Sequence, residues 1–138
     1  MRNPSLSHLQ CIVCANQYPL EDLPAGCPAC GGLGRPASLQ AVYRSLPGQL
    51  ESAASGYKWG PWLPYLDGIS LGEGNTPCLP LARLARELGV AQVSAKQEGS
   101  NPTGSHKDRM SAQAVTRALE AGAETVVLAS SGNAAISA

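Results

Sequence analysis

The chain has 138 residues and balanced charge, with ten Lys and Arg against ten Asp and Glu. That balance leaves no basic excess to hold nucleic acid and no acidic field to attract cations, and no apolar run approaches the roughly 20 residues that cross a bilayer. Met1-Arg2-Asn3-Pro4-Ser5 leads into no apolar signal core, so the expectation is a cytoplasmic, soluble protein with a small-molecule partner.

Residues 1–36 form a Cys-, Gly- and Pro-rich unit with little apolar periodicity. A unit below about 40 residues buries too little apolar surface to fold by packing alone and needs a metal or disulfides. Cys11-Ile12-Val13-Cys14 and Cys27-Pro28-Ala29-Cys30 are separated by twelve residues. Each Cys-x-x-Cys turn aims two thiolates at one point, and two turns close a tetrahedral shell suited to structural zinc. Four thiolates leave no open coordination position, which argues against catalytic zinc. The alternative is a metal-free knuckle of reduced thiols or an adventitious disulfide. Cys78, after Pro77, reads as a small buried side chain rather than a nucleophile.

Residues 37–70 read as a connector, with one helix over 39–50 and an irregular Gly, Pro, Trp and Tyr stretch over 55–66. Residues 71–138 read as α/β. Leu71-Gly72-Glu73-Gly74-Asn75-Thr76-Pro77 is a turn-rich loop. Leu81, Leu84, Ala85 and Leu88 share one helical face, and Gly89 suits the position after the helix. Residues 90–96 are a strand candidate. Asn101 to Arg109 follows as a turn-rich loop, then a helix over 107–121 with Met110, Ala114, Val115 and Ala118 as its apolar stripe. Residues 124–129 carry the apolar run of a buried strand, Ser130 to Asn133 a turn, and Ala134 the start of another helix. Strands alternating with helices predict a parallel sheet, with both special loops at the carboxyl ends of strands, where such folds bind ligands. Two strands do not complete such a sheet, so the chain reads as the front of a longer protein.

Lys107 sits among turn residues and hydroxyls at a predicted helix start, where Ser105 can cap and free amides favour an anion. A lysine amine is a weak nucleophile at its ordinary pKa of about 10.4, and it becomes useful in a dry pocket or when joined to an aldehyde cofactor. The competing reading is a surface lysine beside two solvated charges, Asp108 and Arg109. The Ser130-Ser131-Gly132-Asn133 loop adds hydroxyls and amides suited to a carboxylate, with Asn133 able to donate to and accept from a ring hydroxyl. Its plain alternative is an ordinary strand-to-helix turn.

The three segments 71–77, 101–109 and 130–133, in this order, closely resemble the threonine synthases of the tryptophan-synthase-β-like, fold type II family of pyridoxal-phosphate enzymes. The cysteine pairs resemble the zinc-ribbon-like start of some of those proteins. The resemblance implies that Lys107 carries pyridoxal phosphate and acts as the catalytic lysine, and that Asn133 bonds the cofactor's 3′-hydroxyl. It implies that Ser130, Ser131 and Gly132 bind the carboxylate of a small amino-acid substrate, that Glu73, Asn75 and Thr76 line the substrate entrance, and that Ser105 and Asp108 support the lysine loop. Cys11, Cys14, Cys27 and Cys30 would hold structural zinc. The family's Gly-rich phosphate loop and the partner of the pyridine nitrogen would lie beyond residue 138, so the segment alone is expected to be inactive. Members are often homodimers. His106 stands where threonine synthases often carry Phe, and reads as a ring packed beside the cofactor or as a proton-transfer group. It leaves open a threonine dehydratase or tryptophan-synthase-β-like enzyme, and a rival of another class is a non-enzymatic zinc-ribbon module with an incomplete α/β tail.

Overall fold

The computed structural model describes residues 1–46 and 61–138. They fall into two compact units, residues 1–46 with 61–67, and residues 68–138. No helix among them is long and apolar enough to cross a membrane.

The first unit is built on a three-stranded antiparallel sheet in the order β2-β1-β3, with β1 at Leu6–Cys11, β2 at Gln17–Tyr18 and β3 at Leu39–Tyr43. Leu9 pairs with Tyr18 on one side and with Ala41 on the other. The helix expected over 39–50 is therefore a strand as far as Tyr43, and residues 47–50 lie outside the described part. Val42 and Tyr43 are strand formers, and β1 offers them a paired edge, which outweighs a weak helical pattern. A five-residue helix, α1 at Pro28–Gly32, begins on the second cysteine pair, with the Cys27 sulfur accepting from the Cys30 amide. The buried core here is Cys11, Cys27 and Cys30, against which Tyr18, Ala37 and Leu39 pack. Gly26, at φ +82°, passes so close to the Ala37 carbonyl that a Cβ would lie 2.4 Å from its oxygen. Asn3 ties residues 61–64 to this unit, its side-chain amide donating to the Pro61 and Leu63 carbonyls at 3.0 and 2.9 Å.

In the second unit, β4 at Cys78–Pro80 pairs antiparallel with β5 at Ser94–Lys96. Cys78 stands opposite Lys96, so the loops before β4 and after β5 leave from the same end of the ladder. The Gln97 amide extends it by donating to the Pro77 carbonyl at 2.9 Å. Between these strands lies α2, Ala82–Leu88, ended by Gly89 in the left-handed conformation at φ 66°. The strand predicted over 90–96 is shorter because the Val90 amide is spent on the helix end, donating to the Ala85 carbonyl at 3.1 Å. Of the predicted apolar face of α2, Ala85 is buried, while Leu84 and Leu88 stay exposed.

The longest helix, α3, spans Lys107–Glu120. Its inward face is Asp108, Ser111, Ala112 and Thr116, not the predicted stripe, and Met110 is exposed. Thr116 takes the Ile69 amide at 3.0 Å, and Gly68 lies against Thr116 where any Cβ would overlap its side chain. Polar tethering to the segment at 68–73 thus sets the rotation of α3. A last helix, α4, runs from Asn133 to Ser137.

The α/β character holds, but both sheets among the described residues are antiparallel. Residues 124–129, read as a buried strand, join no strand there, and Val126, Val127 and Leu128 are exposed. A central parallel strand requires a neighbour on each side to take its amides and carbonyls, and this stretch has none among the described residues.

Candidate functional sites

The four predicted cysteine ligands converge. The sulfurs of Cys11, Cys14, Cys27 and Cys30 all lie within 4.8 Å of one another. Cys11 to Cys30 is 3.8 Å and Cys14 to Cys27 is 3.6 Å. A tetrahedron of metal–sulfur bonds near 2.3 Å has edges of about 3.8 Å, so the cluster has the size of a four-sulfur metal shell. Backbone amides of Val13 and Cys14 point at the Cys11 sulfur, each at 3.4 Å, and that of Cys30 at the Cys27 sulfur at 3.5 Å. These amides favour thiolates. The Tyr18 hydroxyl lies 3.1 Å from the Cys27 sulfur, a contact that the spacing of the cysteines does not reveal. Burial pushes the Cys27 thiol up, but the Tyr18 hydroxyl and the Cys30 amide overcome it and lower the group to about 6. Cys30 is pushed up to about 12, first by Cys14 and then by burial. Four adjacent thiols cannot all ionise unaided, and a divalent cation at their centre removes that conflict. The cluster is thus a fitting metal site with no free coordination position.

The second site is assembled at the shared end of the β4–β5 ladder. Its hub is Glu98, which no sequence motif marks. The Arg109 guanidinium grips the Glu98 carboxylate with two nitrogens, Nε at 2.7 Å and Nη2 at 3.0 Å. The Thr76 hydroxyl donates to Glu98 at 2.8 Å, and Asn101 donates to its carboxylate at 2.9 Å and its carbonyl at 2.8 Å. Asn101 in turn accepts the Gly74 amide at 2.9 Å. Lys96 donates to the Thr76 carbonyl. Thr76, Asn101 and Glu73 are all buried. Glu73 accepts from the Ser70 hydroxyl and the Leu71 amide, both at 2.8 Å, which closes its own loop. One carboxylate thereby joins the loop at 71–77 to the loop at 101–109. No sequence period links residues 76, 98 and 109, so only the fold exposes this hub.

Lys107 is the first residue of α3 and is half-buried, and its amide donates to the Ser105 hydroxyl at 3.0 Å. Asp108 is fully buried and accepts from the Thr103 amide at 2.8 Å and from the Thr103 hydroxyl. Thus Asp108 and Arg109, weighed as solvated charges, are both engaged in holding the loop. His106 is exposed. Asn75 is exposed, with φ at 48°. Asn133 is the first residue of α4, and Ser130, Ser131, Gly132 and Asn133 are all exposed, with the Gly132 amide donating to the Ser130 hydroxyl at 3.2 Å. No hydrogen bond joins Lys107 to Asn133 among the described residues. Their helices meet instead through Ser111 and Ser137, whose hydroxyls are 2.6 Å apart.

A family profile described as "Pyridoxal-phosphate dependent enzyme" matches residues 69–138, half of the chain and all of this second site. The chain belongs to that family. Its members bind pyridoxal phosphate, and the donor set fits that group: the half-buried Lys107 brings a primary amine for an aldehyde, and Asn133 brings an amide at the start of α4, with the Ser130 and Ser131 hydroxyls in the turn before it. The chain is 37% identical over 133 residues to a threonine synthase of Methanosarcina acetivorans, a match covering 91% of this chain and 32% of that protein. A threonine synthase of Methanocaldococcus jannaschii is 36% identical over 139 residues, covering 93% of this chain and 33% of its own length. One from a Bacillus species is 51% identical over 70 residues, half of this chain and a fifth of that protein. The chain therefore spans at most about a third of the curated relatives it matches. No solved structure matches it.

The hub has a pH signature. Arg109 first, then Thr76 and Asn101, hold the Glu98 carboxyl near 2, well below its ordinary 4.5, against the opposing effect of burial. A depressed carboxylate contributes stability above its unfolded pKa and loses it on acidification. The second unit should therefore weaken as pH falls from about 4.5 towards 2, by about 2 kcal/mol once solvent screening is allowed for. Glu98→Gln should flatten that acid limb in urea titrations at successive pH values. An acid limb unchanged by the substitution would contradict the assignment.

Proposed function

We propose that this segment is the lysine-bearing part of a pyridoxal-phosphate-dependent carbon–oxygen lyase, a threonine synthase that turns O-phosphohomoserine and water into threonine and phosphate. One observation carries the reading: relatives named threonine synthase match across both the cysteine unit and the lysine unit, over nine-tenths of the chain.

In this reading the Lys107 amine would hold the cofactor's aldehyde and would take the proton from the substrate Cα. Bound pyridoxal phosphate supplies the electron sink for that step. Asn133 bonds the ring hydroxyl. Ser130, Ser131 and Gly132 hold the substrate carboxylate. The loop bearing Glu73, Asn75 and Thr76 forms the substrate entrance, with Thr76 and Glu73 fixed from beneath. Ser105 and Asp108 shape the lysine loop. The cofactor's phosphate anchor and pyridine-nitrogen partner belong to parts of the enzyme outside this chain, so the 138 residues alone bind the cofactor weakly and turn nothing over. Those parts would also give residues 124–129 their neighbours in a parallel sheet. The metal in the cysteine cluster is zinc, in a structural role. The enzyme is cytoplasmic, acts on a small amino acid, requires neither nucleic acid nor membrane, and works as a homodimer.

Two measurements test this. In the longer enzyme that carries this segment, Lys107→Ala should abolish the visible absorbance of the lysine–cofactor linkage and lower phosphate release from O-phosphohomoserine by roughly a thousandfold or more. Retention of the band would overturn the lysine assignment, and deamination of threonine in place of phosphate release would point to a dehydratase. For the cluster, metal analysis should find one zinc per chain, lost on Cys11→Ser. A strong chelator should unfold the first unit while leaving α3 helical, because metal affinity there is folding free energy. A first unit that stays folded without metal would contradict the zinc assignment.

A further inference from the structure

Behind Lys107 and Asn133 lies a polar contact that the proposed reaction does not use. Ser111 and Ser137 are 3% and 5% exposed, and their hydroxyls meet at 2.6 Å. Ser137 also donates to the Ala134 carbonyl, at 3.3 Å. A serine has one proton to give, so Ser111 donates to Ser137 and the relay ends on the α4 backbone. The pair is fully satisfied although buried.

Residues four apart on a helix share a face. Ser111 lies one turn after Lys107 in α3, and Ser137 one turn after Asn133 in α4. The bond therefore links the Lys107 face of one helix to the Asn133 face of the other. The first turn of α3 is already fixed from the opposite direction by Asp108 with Thr103 and by Arg109 with Glu98. By contrast, α4 has five residues, with Ser137 as its buried one, and residues 121–133 leading into it are exposed. The Ser111–Ser137 bond joins it to α3. An apolar contact of that size could slide, whereas a hydroxyl pair has a set length and direction.

We propose that the Ser111–Ser137 pair is a positioning clasp: it sets the separation of the Lys107 amine and the Asn133 amide so that one aromatic aldehyde reaches both. The proposal rests on the cofactor roles given above to Lys107 and Asn133, and its test separates the two.

The chain holds three lysines, Lys58, Lys96 and Lys107, which gives an internal control. The longer enzyme that carries this segment, stripped of bound cofactor, is mixed with limiting pyridoxal phosphate, reduced with borohydride, and mapped by peptide mass spectrometry. Wild type should carry the label on Lys107 in about tenfold or greater preference to Lys96 and Lys58. Ser111→Ala and Ser137→Ala should each erase most of that preference, with labelling of the other two lysines unchanged. Ser111→Thr, which keeps the hydroxyl, should retain it. Ser137→Ala also leaves the buried Ser111 hydroxyl without its acceptor, so the double Ser111→Ala/Ser137→Ala variant should regain thermal stability lost by that single substitution. It should not regain the preference for Lys107. A preference that survives in the double variant, or returns together with stability, overturns the clasp and leaves the cofactor reading standing. A wild type with no preference for Lys107 overturns both.

Discussion

The second unit depends on one bidentate ion pair. Arg109 and Glu98 are each about three-tenths exposed or less at the side chain, and their partners Thr76 and Asn101 are buried. A charge pair in such a place is weak evidence for stability by itself, because desolvation offsets much of the Coulomb gain. Its value here lies in direction. A guanidinium fork fixes two oxygens in a plane, and the remaining capacity of that carboxylate is taken by Thr76 and Asn101. Two loops of different sequence origin are thereby set at fixed places beside the first turn of α3. Lys107 inherits its position from neighbours that are each hydrogen-bonded, the support that the cofactor role proposed for it would require.

The first unit solves a different problem. It has too few large apolar side chains to bury, and its cluster of buried core residues is three cysteines. Three short strands and one helical turn converge on that sulfur cluster, and the strands by themselves would be marginal. A cation bound there would replace a hydrophobic core and relieve the crowding of thiols in a single step.

Much of this was legible in the sequence, and the failures have identifiable causes. The Cys-x-x-Cys pairs are local signals that survive any change in surroundings, and their sulfurs converge as their spacing implies. The extent of α3, and Gly89 as the end of α2, follow from local capping chemistry. The rotation of α3 did not, because its buried face is polar: Asp108, Ser111 and Thr116 look like solvent-facing residues until their partners are known. Glu98 was invisible for the same reason, since it acts across a loop closure that no period marks. The pattern over 39–50 suggests a helix because the pairing edge of the Leu39–Tyr43 strand, β1, lies some 30 residues earlier in the chain. Residues 124–129 have the apolar run of a buried strand without neighbours among the described residues to bury it. Long-range partners decided each of these cases, and local composition carries no record of them.

The account turns on which lysine meets the cofactor. Borohydride reduction of the longer enzyme as purified, followed by peptide mapping, reads this directly. The account predicts one pyridoxyl group per chain, on Lys107. A pyridoxyl group on any other lysine would contradict it.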